Sequence, residues 1–149
     1  MSDFVCLDSS ILVKLLTWEE GSEAAAGLME RIAASGQKVV LPPFAWAEVG
    51  SVLRKKAGKK EISAAEAEEA WRMFRQLKIL TYLESEKVSA AAWEIAGKEN
   101  LPTLYDAAYL AVAEVTAKDS GKECAFWTAD KRLVESLGGR KKYVRLLEI

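Results

Sequence analysis

Short apolar runs that alternate with stretches of helical periodicity constrain this chain more than any other feature. The runs lie at 4–8, 38–41, 79–82, 124–127 and 142–147. After the first of them the apolar residues recur at Ile11, Leu12, Leu15 and Leu16, so the period changes from strand to helix at Asp8. Helices are predicted at 9–16, 21–35, 43–57, 63–77, 85–98, 103–118 and 131–137. Short strands separated by helices predict an α/β fold with a parallel sheet covered on both faces.

Several boundaries have a local cause. Pro42 and Pro43 stand at the start of the 43–57 helix, where a missing N–H costs nothing. Ser63 with Glu66 three residues on forms a capping-box pattern, and Gly36 and Gly58 are placed to close helices. KKAGKKE (55–61) reads as a turn between two helices, because apolar periodicity resumes within a few residues.

With 149 residues, no repeat and no linker, residues 1–149 are expected to form a single domain. The net charge of −1 gives no global pull toward nucleic acid or an anionic membrane, so any basic surface must be local. No apolar run is long enough for a membrane span and no signal-peptide pattern opens the chain, which makes the cytoplasm the expected compartment. Cys6 and Cys124 are too few and too far apart for a disulfide framework or a CxxC site, and are expected as buried thiols. There is no histidine. That excludes Ser-His-Asp and Cys-His nucleophile systems, and two cysteines cannot complete a zinc site. If the chain is an enzyme, carboxylates are expected to carry the chemistry.

Four carboxylates stand out. Asp8 and Asp130 each follow a strand, and in a parallel sheet ligands bind beyond the carboxyl ends of the strands. Glu48 has Phe44, Ala45, Ser51 and Val52 three and four positions away, a largely apolar face. Asp106 is the lone charge in LYDAAYLAVA. Each also has a structural reading: Asp8 and Asp130 as helix N-caps, with Thr128 an alternative cap, Asp106 as the partner of Thr103 in a capping box, and Glu48 as a helix-surface residue. Four ionised carboxylates in one cleft raise one another's pKa unless a cation neutralises them, and oxygen-only ligands favour Mg2+ or Mn2+. Such an ion can activate water and hold a phosphate for attack.

LDSS with Asp8, AEV with Glu48, LYDAAYLA with Asp106 and TAD with Asp130, in this order and spacing, resemble a PIN domain, and more closely a VapC-type ribonuclease toxin of a prokaryotic toxin–antitoxin pair. The resemblance covers the whole chain. It implies a three-layer α/β/α sandwich and metal-dependent endoribonuclease activity, with Asp8, Glu48, Asp106 and Asp130 as the acidic metal-binding and catalytic cluster. Ser9 and Thr128 match small hydroxyl residues that line the site in the family. The implied partners are an RNA substrate, a second copy of the chain and a small antitoxin that docks near the active site. Ala129 departs from the family pattern, which often has an arginine there.

RNA phosphates require cations. Lys131 and Arg132, directly after Asp130, are the preferred candidates; Arg54, Lys55, Lys56, Lys59, Lys60, Arg140, Lys141 and Lys142 are others. Trp46, Trp71, Trp93 and Trp127 fall at apolar positions and are expected in core or interface packing, whereas Trp18 lies in an expected loop. Two other functions compete. One is a non-cleaving scaffold for RNA or protein. The other is a phosphoaspartyl phosphatase or receiver-like domain, against which Asp8-Ser9-Ser10 lacks the DxD pattern.

Overall fold

The structure, a computed structural model, describes residues 3–149. In chain order the elements are β1 (Phe4–Leu7), α1 (Ser9–Leu16), α2 (Ser22–Ala34), β2 (Lys38–Leu41), α3 (Ala45–Gly58) and α4 (Ala64–Arg75). They continue with β3 (Leu80–Tyr82), α5 (Glu86–Lys98), α6 (Leu104–Ser120), β4 (Cys124–Thr128), α7 (Lys131–Leu137) and β5 (Val144–Leu146). The five strands form one parallel sheet in the order β3-β2-β1-β4-β5, so the three-layer α/β/α expectation holds.

That order fixes where the helices go. From β1 the chain steps outward to β2 and β3, then returns past β1 to β4 and steps outward again to β5. Right-handed crossovers therefore place α1–α4 on one face and α5–α7 on the other. β1 and β4 are neighbours whose following connections diverge to opposite faces, which opens a crevice beyond their carboxyl ends. Asp8 and Asp130 stand at that crevice.

Packing explains the composition of α6. It is wedged between α5 and strands β1, β2 and β4, and residues 107–113 are all buried. Ala107, Ala108, Ala111 and Ala113 let it approach on several sides at once. Strands β1 and β2 are buried through Val5, Cys6, Leu7, Val39, Val40 and Leu41, as continuous apolar runs in a covered sheet should be. Cys6 and Cys124 are free and buried, as expected.

The capping box forms as expected: the Glu66 N–H donates to Ser63 Oγ (3.0 Å) and the Ser63 N–H donates to Glu66 Oε1 (2.9 Å). Other details differ from expectation. α3 begins at Ala45, because Pro42, Pro43 and Phe44 form a turn in which the Ala45 N–H donates to the Pro42 carbonyl (3.1 Å). Gly58 stays helical, and the left-handed conformation after α3 falls on Lys60 (φ 63°), while Gly36 (φ 70°) ends α2 as expected. β4 runs one residue further, through Thr128. Trp46 and Trp93 are exposed (53 % and 72 %), which leaves interface packing of the two expected roles. Trp93 lies outside the buried stripe of Val88, Ala92 and Ile95 on α5. Trp18, at 80 % exposure, matches its loop assignment. Among the described residues no helix is long and apolar enough to cross a membrane.

Candidate active site

Strand pairing builds the centre of the site. Leu7 pairs with Trp127 in register, so the next residues, Asp8 and Thr128, are set side by side as β1 and β4 end. The Asp8 N–H donates to the Trp127 carbonyl (2.9 Å), and the Thr128 hydroxyl donates to Asp8 Oδ2 (2.6 Å). The same hydroxyl oxygen accepts the Asp130 N–H (3.0 Å). One buried threonine thus orients the first acid and the loop that carries the last. Ser10 Oγ accepts the Ala129 N–H (3.1 Å), and the Ser9 hydroxyl reaches Asp8 Oδ1 at 3.4 Å.

The structural readings of the acids separate. Asp8 starts α1 with extended backbone, but its side chain makes no capping bond. Thr103 makes none either, so the Thr103–Asp106 box does not form. Asp130 does cap α7: its Oδ1 accepts the N–H groups of Arg132 (3.0 Å) and Leu133 (3.3 Å), which leaves Oδ2 outside the cap. Glu48 lies in the first turn of α3, half-buried, where Oε1 accepts the hydroxyl of Tyr109 (2.7 Å). Asp106, also half-buried, is in the first turn of α6. Glu48 and Asp106 therefore sit where a helix dipole favours negative charge.

Electrostatics ties the four together. Burial pushes the Asp106 carboxyl up to about 6, and the charges of Asp8, Asp130 and Glu48 all add to that rise. Burial also raises Asp8, beyond what hydrogen bonds from Thr128, Ser10 and Ser9 can offset, with Asp130 adding to it. Glu48 is raised by burial and by Asp8, against the lowering effect of the Tyr109 hydroxyl. Among the described residues none of the four takes part in an ion pair. The result is a cluster of carboxylates at the switch point that no ion pair among the described residues neutralises.

Carboxylate and hydroxyl oxygens, with no nitrogen or sulfur, suit a hard divalent cation. Among the described residues no three acidic, cysteine or histidine side chains form a ready-made metal cage. Mg2+ commonly keeps several waters and takes one or two direct carboxylates, so an open acid set of this kind fits such an ion.

Lys131 and Arg132 are exposed in the first turn of α7, beside Asp130. Lys56, Arg140 and Lys141 are engaged instead with Glu19 and Glu61, with Glu99, and with Glu114. Two residues bonded to this cluster were not singled out from sequence, Tyr109 and Ser10. Tyr109 follows Asp106 by three positions and so shares its helix face, but in a run of apolar residues it reads as core.

The PIN domain family model matches residues 5–135, a span that contains all four acids. This chain belongs to the PIN-domain family. Ribonuclease VapC3 of Pyrobaculum aerophilum is 35 % identical to this PIN domain over 133 residues, which span 87 % of this chain and 91 % of that protein. In fold, the PIN domain is similar to a toxin–antitoxin complex from Klebsiella pneumoniae, with a TM-score of 0.66, 17 % identity and coverage of 97 % and 98 % of the two chains. It is also similar to the crystal structure of a Pyrobaculum aerophilum protein, with a TM-score of 0.61, 19 % identity and coverage of 98 % and 90 %. VapC ribonucleases of the PIN family are generally metal-dependent.

Proposed function

We propose that this PIN domain is a metal-dependent endoribonuclease, the toxin of a type II toxin–antitoxin pair, acting in the cytoplasm as one domain over residues 1–149. The observation that carries this reading is the meeting of Asp8, Glu48, Asp106 and Asp130 in one electrostatic neighbourhood with, among the described residues, no cationic side chain paired to any of them. The 35 % identity to a protein named Ribonuclease VapC3 supports the same activity.

In this reading the four acids are the catalytic residues and are those that would hold Mg2+ or Mn2+. An ion held there would supply charge neutralisation and lower the pKa of a water able to attack an RNA phosphodiester. Thr128 fixes the Asp8 carboxylate by donating to Oδ2 and fixes the Asp130 loop by accepting its N–H. Ser9 lies against the other Asp8 oxygen. Lys131 and Arg132 offer exposed cations to the phosphates that flank the cut. The partners of this reading are RNA, a cognate antitoxin that covers the acidic centre, and a second copy of the chain. The structural relationship to a toxin–antitoxin complex supports the antitoxin.

The test is cleavage of a total RNA pool by the wild type and Asp106→Asn in EDTA, Mg2+ and Mn2+, with the new ends mapped. Cuts at few sites that need a divalent ion and vanish in the variant are expected. Identical profiles for the two proteins would leave a PIN-like scaffold that holds RNA or protein without cutting.

A further inference from the structure

Two helices leave the acidic centre together. α1 starts beside Asp8, α3 carries Glu48 in its first turn, and the two helices pack against each other. Their far ends are tied by one residue, Glu19, in the loop after α1. Its Oε2 meets Lys14 Nζ of α1 at 3.2 Å and its Oε1 meets Lys56 Nζ of α3 at 3.2 Å, while the Thr17 hydroxyl donates to Oε1 at 2.8 Å. The Glu19 N–H donates to Ser22 Oγ and the Ser22 hydroxyl to the Thr17 carbonyl, both at 2.8 Å. The far end of α3 is thus held in a fixed relation to the acids.

Helical geometry decides what that end presents. Two turns separate Lys55 from Glu48, so both residues lie on one side of α3, about 10 Å apart along its axis. Lys59, the C-cap, keeps helical backbone and continues that side about 6 Å further on. Trp46, Gly50, Leu53, Arg54 and Ala57 take the other side and line a groove with Trp71 of α4. Lys55, Lys59 and Lys60 are exposed, and among the described residues none of them enters an ion pair. Glu19 and Glu61 pair with Lys56 instead. Between Glu48 and Lys59 α3 carries no acid, and α1 carries none either.

The helix dipole favours lysines anywhere in a last turn. It does not call for a row in line with Glu48. A row free of acids and of ion pairs is complementary to a phosphate backbone, and in the ribonuclease reading the polyanion at its head is the RNA itself.

We propose that Lys55 and Lys59, with Lys60 after them, form a phosphate track that holds the RNA strand on one side of the cut as it leaves the acidic centre along α3. The proposal rests on the ribonuclease reading and adds to it the course of the substrate. The contacts are to the backbone, so they position the strand and read no sequence.

The experiment uses a single-stranded RNA oligonucleotide that spans a mapped cut, and two shortened forms that end beside the cut on its 5′ or its 3′ side. Lys55→Gln/Lys59→Gln is compared with wild type and with Lys98→Gln/Lys118→Gln, which removes two exposed last-turn lysines of α5 and α6, on the other face of the sheet. Asp106→Asn is the activity control and thermal melting the fold control. At about 0.15 M salt, Lys55→Gln/Lys59→Gln is expected to raise KM about tenfold, and the slope of log KM against log salt to fall by about 1.4, at about 0.7 for each phosphate contact of a single strand. Its kcat at saturating RNA is expected to hold, Lys55→Arg/Lys59→Arg to keep wild-type values, and the control pair to change neither KM nor slope. One shortened RNA is expected to cost the wild type a similar factor and to cost Lys55→Gln/Lys59→Gln nothing further, because the two losses are the same contacts. An unchanged salt slope in that variant, a loss matched by the control pair, or shortening that costs both proteins alike would overturn the track while cleavage itself stands. Loss of a protein partner by the variant with RNA kinetics intact would assign the lysines to that partner and overturn the track likewise. Wild-type cleavage no greater than that of Asp106→Asn would overturn the ribonuclease reading and the track with it.

Discussion

The hydroxyl of Tyr109 donates to Glu48 Oε1 at 2.7 Å, and the tyrosine that makes this bond is 1 % exposed. A carboxylate on α3 is thereby fixed by a side chain from α6, on the opposite face of the sheet. Tyr109→Phe keeps the ring packed against Phe44 and Phe126 and removes only the donor. Its expected cost in stability is about 1 kcal/mol, the usual net value of one hydrogen bond. The larger effect is expected on divalent-ion affinity, with a loss of about tenfold, as for other partners that orient a ligand. Because the hydroxyl lowers the Glu48 pKa, ion binding by the variant should also need a higher pH. Thermal melting and Mn2+ titration across pH check these outcomes.

Thr128 is fully buried and serves two acids at once. Thr128→Val preserves shape and removes both hydrogen bonds, leaving Asp8 Oδ2 and the Asp130 N–H without this partner. A loss of about 2 kcal/mol in denaturant unfolding is expected, with divalent-ion binding weakened in parallel. Thr128→Ser, which keeps the hydroxyl, should retain most of both.

Asp106 is expected to weaken the metal-free fold that it equips for binding. Its carboxyl is raised from 3.8 to about 6, so the folded state takes up a proton more readily than the unfolded chain. The stability of the metal-free protein attributable to this group is therefore greatest below pH 3.8 and falls as pH rises through about 6. Asp106→Asn should then stabilise the protein in EDTA at pH 7 by about 1 kcal/mol after allowance for solvent screening, and by less at pH 4. With Mg2+ or Mn2+ added, the order should reverse, since only the wild type gains from the ion. Urea unfolding of both proteins at the two pH values, with and without the ion, measures each difference.

Much of this arrangement was legible in the sequence, for identifiable reasons. The alternation of short strands and helices placed Asp8 and Asp130 at one sheet edge, and the apolar neighbours of Glu48 and Asp106 marked those acids as turned inward. The cap reading was right for Asp130 and wrong for Asp8 and Asp106, and residue type and spacing are the same in either outcome. What decides is whether a neighbouring strand offers a better partner, as Thr128 does for Asp8. Tyr109 was hidden because an aromatic residue in an apolar helix counts as core; only the fold reveals that its hydroxyl meets Glu48. For Trp93 the spacing left core and interface open, and the fold removes the core. Helical spacing placed it with apolar residues, yet α5 buries its face toward α6 and leaves that indole in solvent.

The most direct measurement is calorimetric titration of Mn2+ into the wild-type protein and into Asp8→Asn, Glu48→Gln, Asp106→Asn and Asp130→Asn. If the four carboxylates form one ion-holding centre, the wild type binds Mn2+ and every variant loses at least about tenfold in affinity, the scale of a removed ligand or its close partner. Wild-type protein that takes up no Mn2+, or variants that bind it as the wild type does, would contradict a shared centre and leave the four acids as separate structural residues.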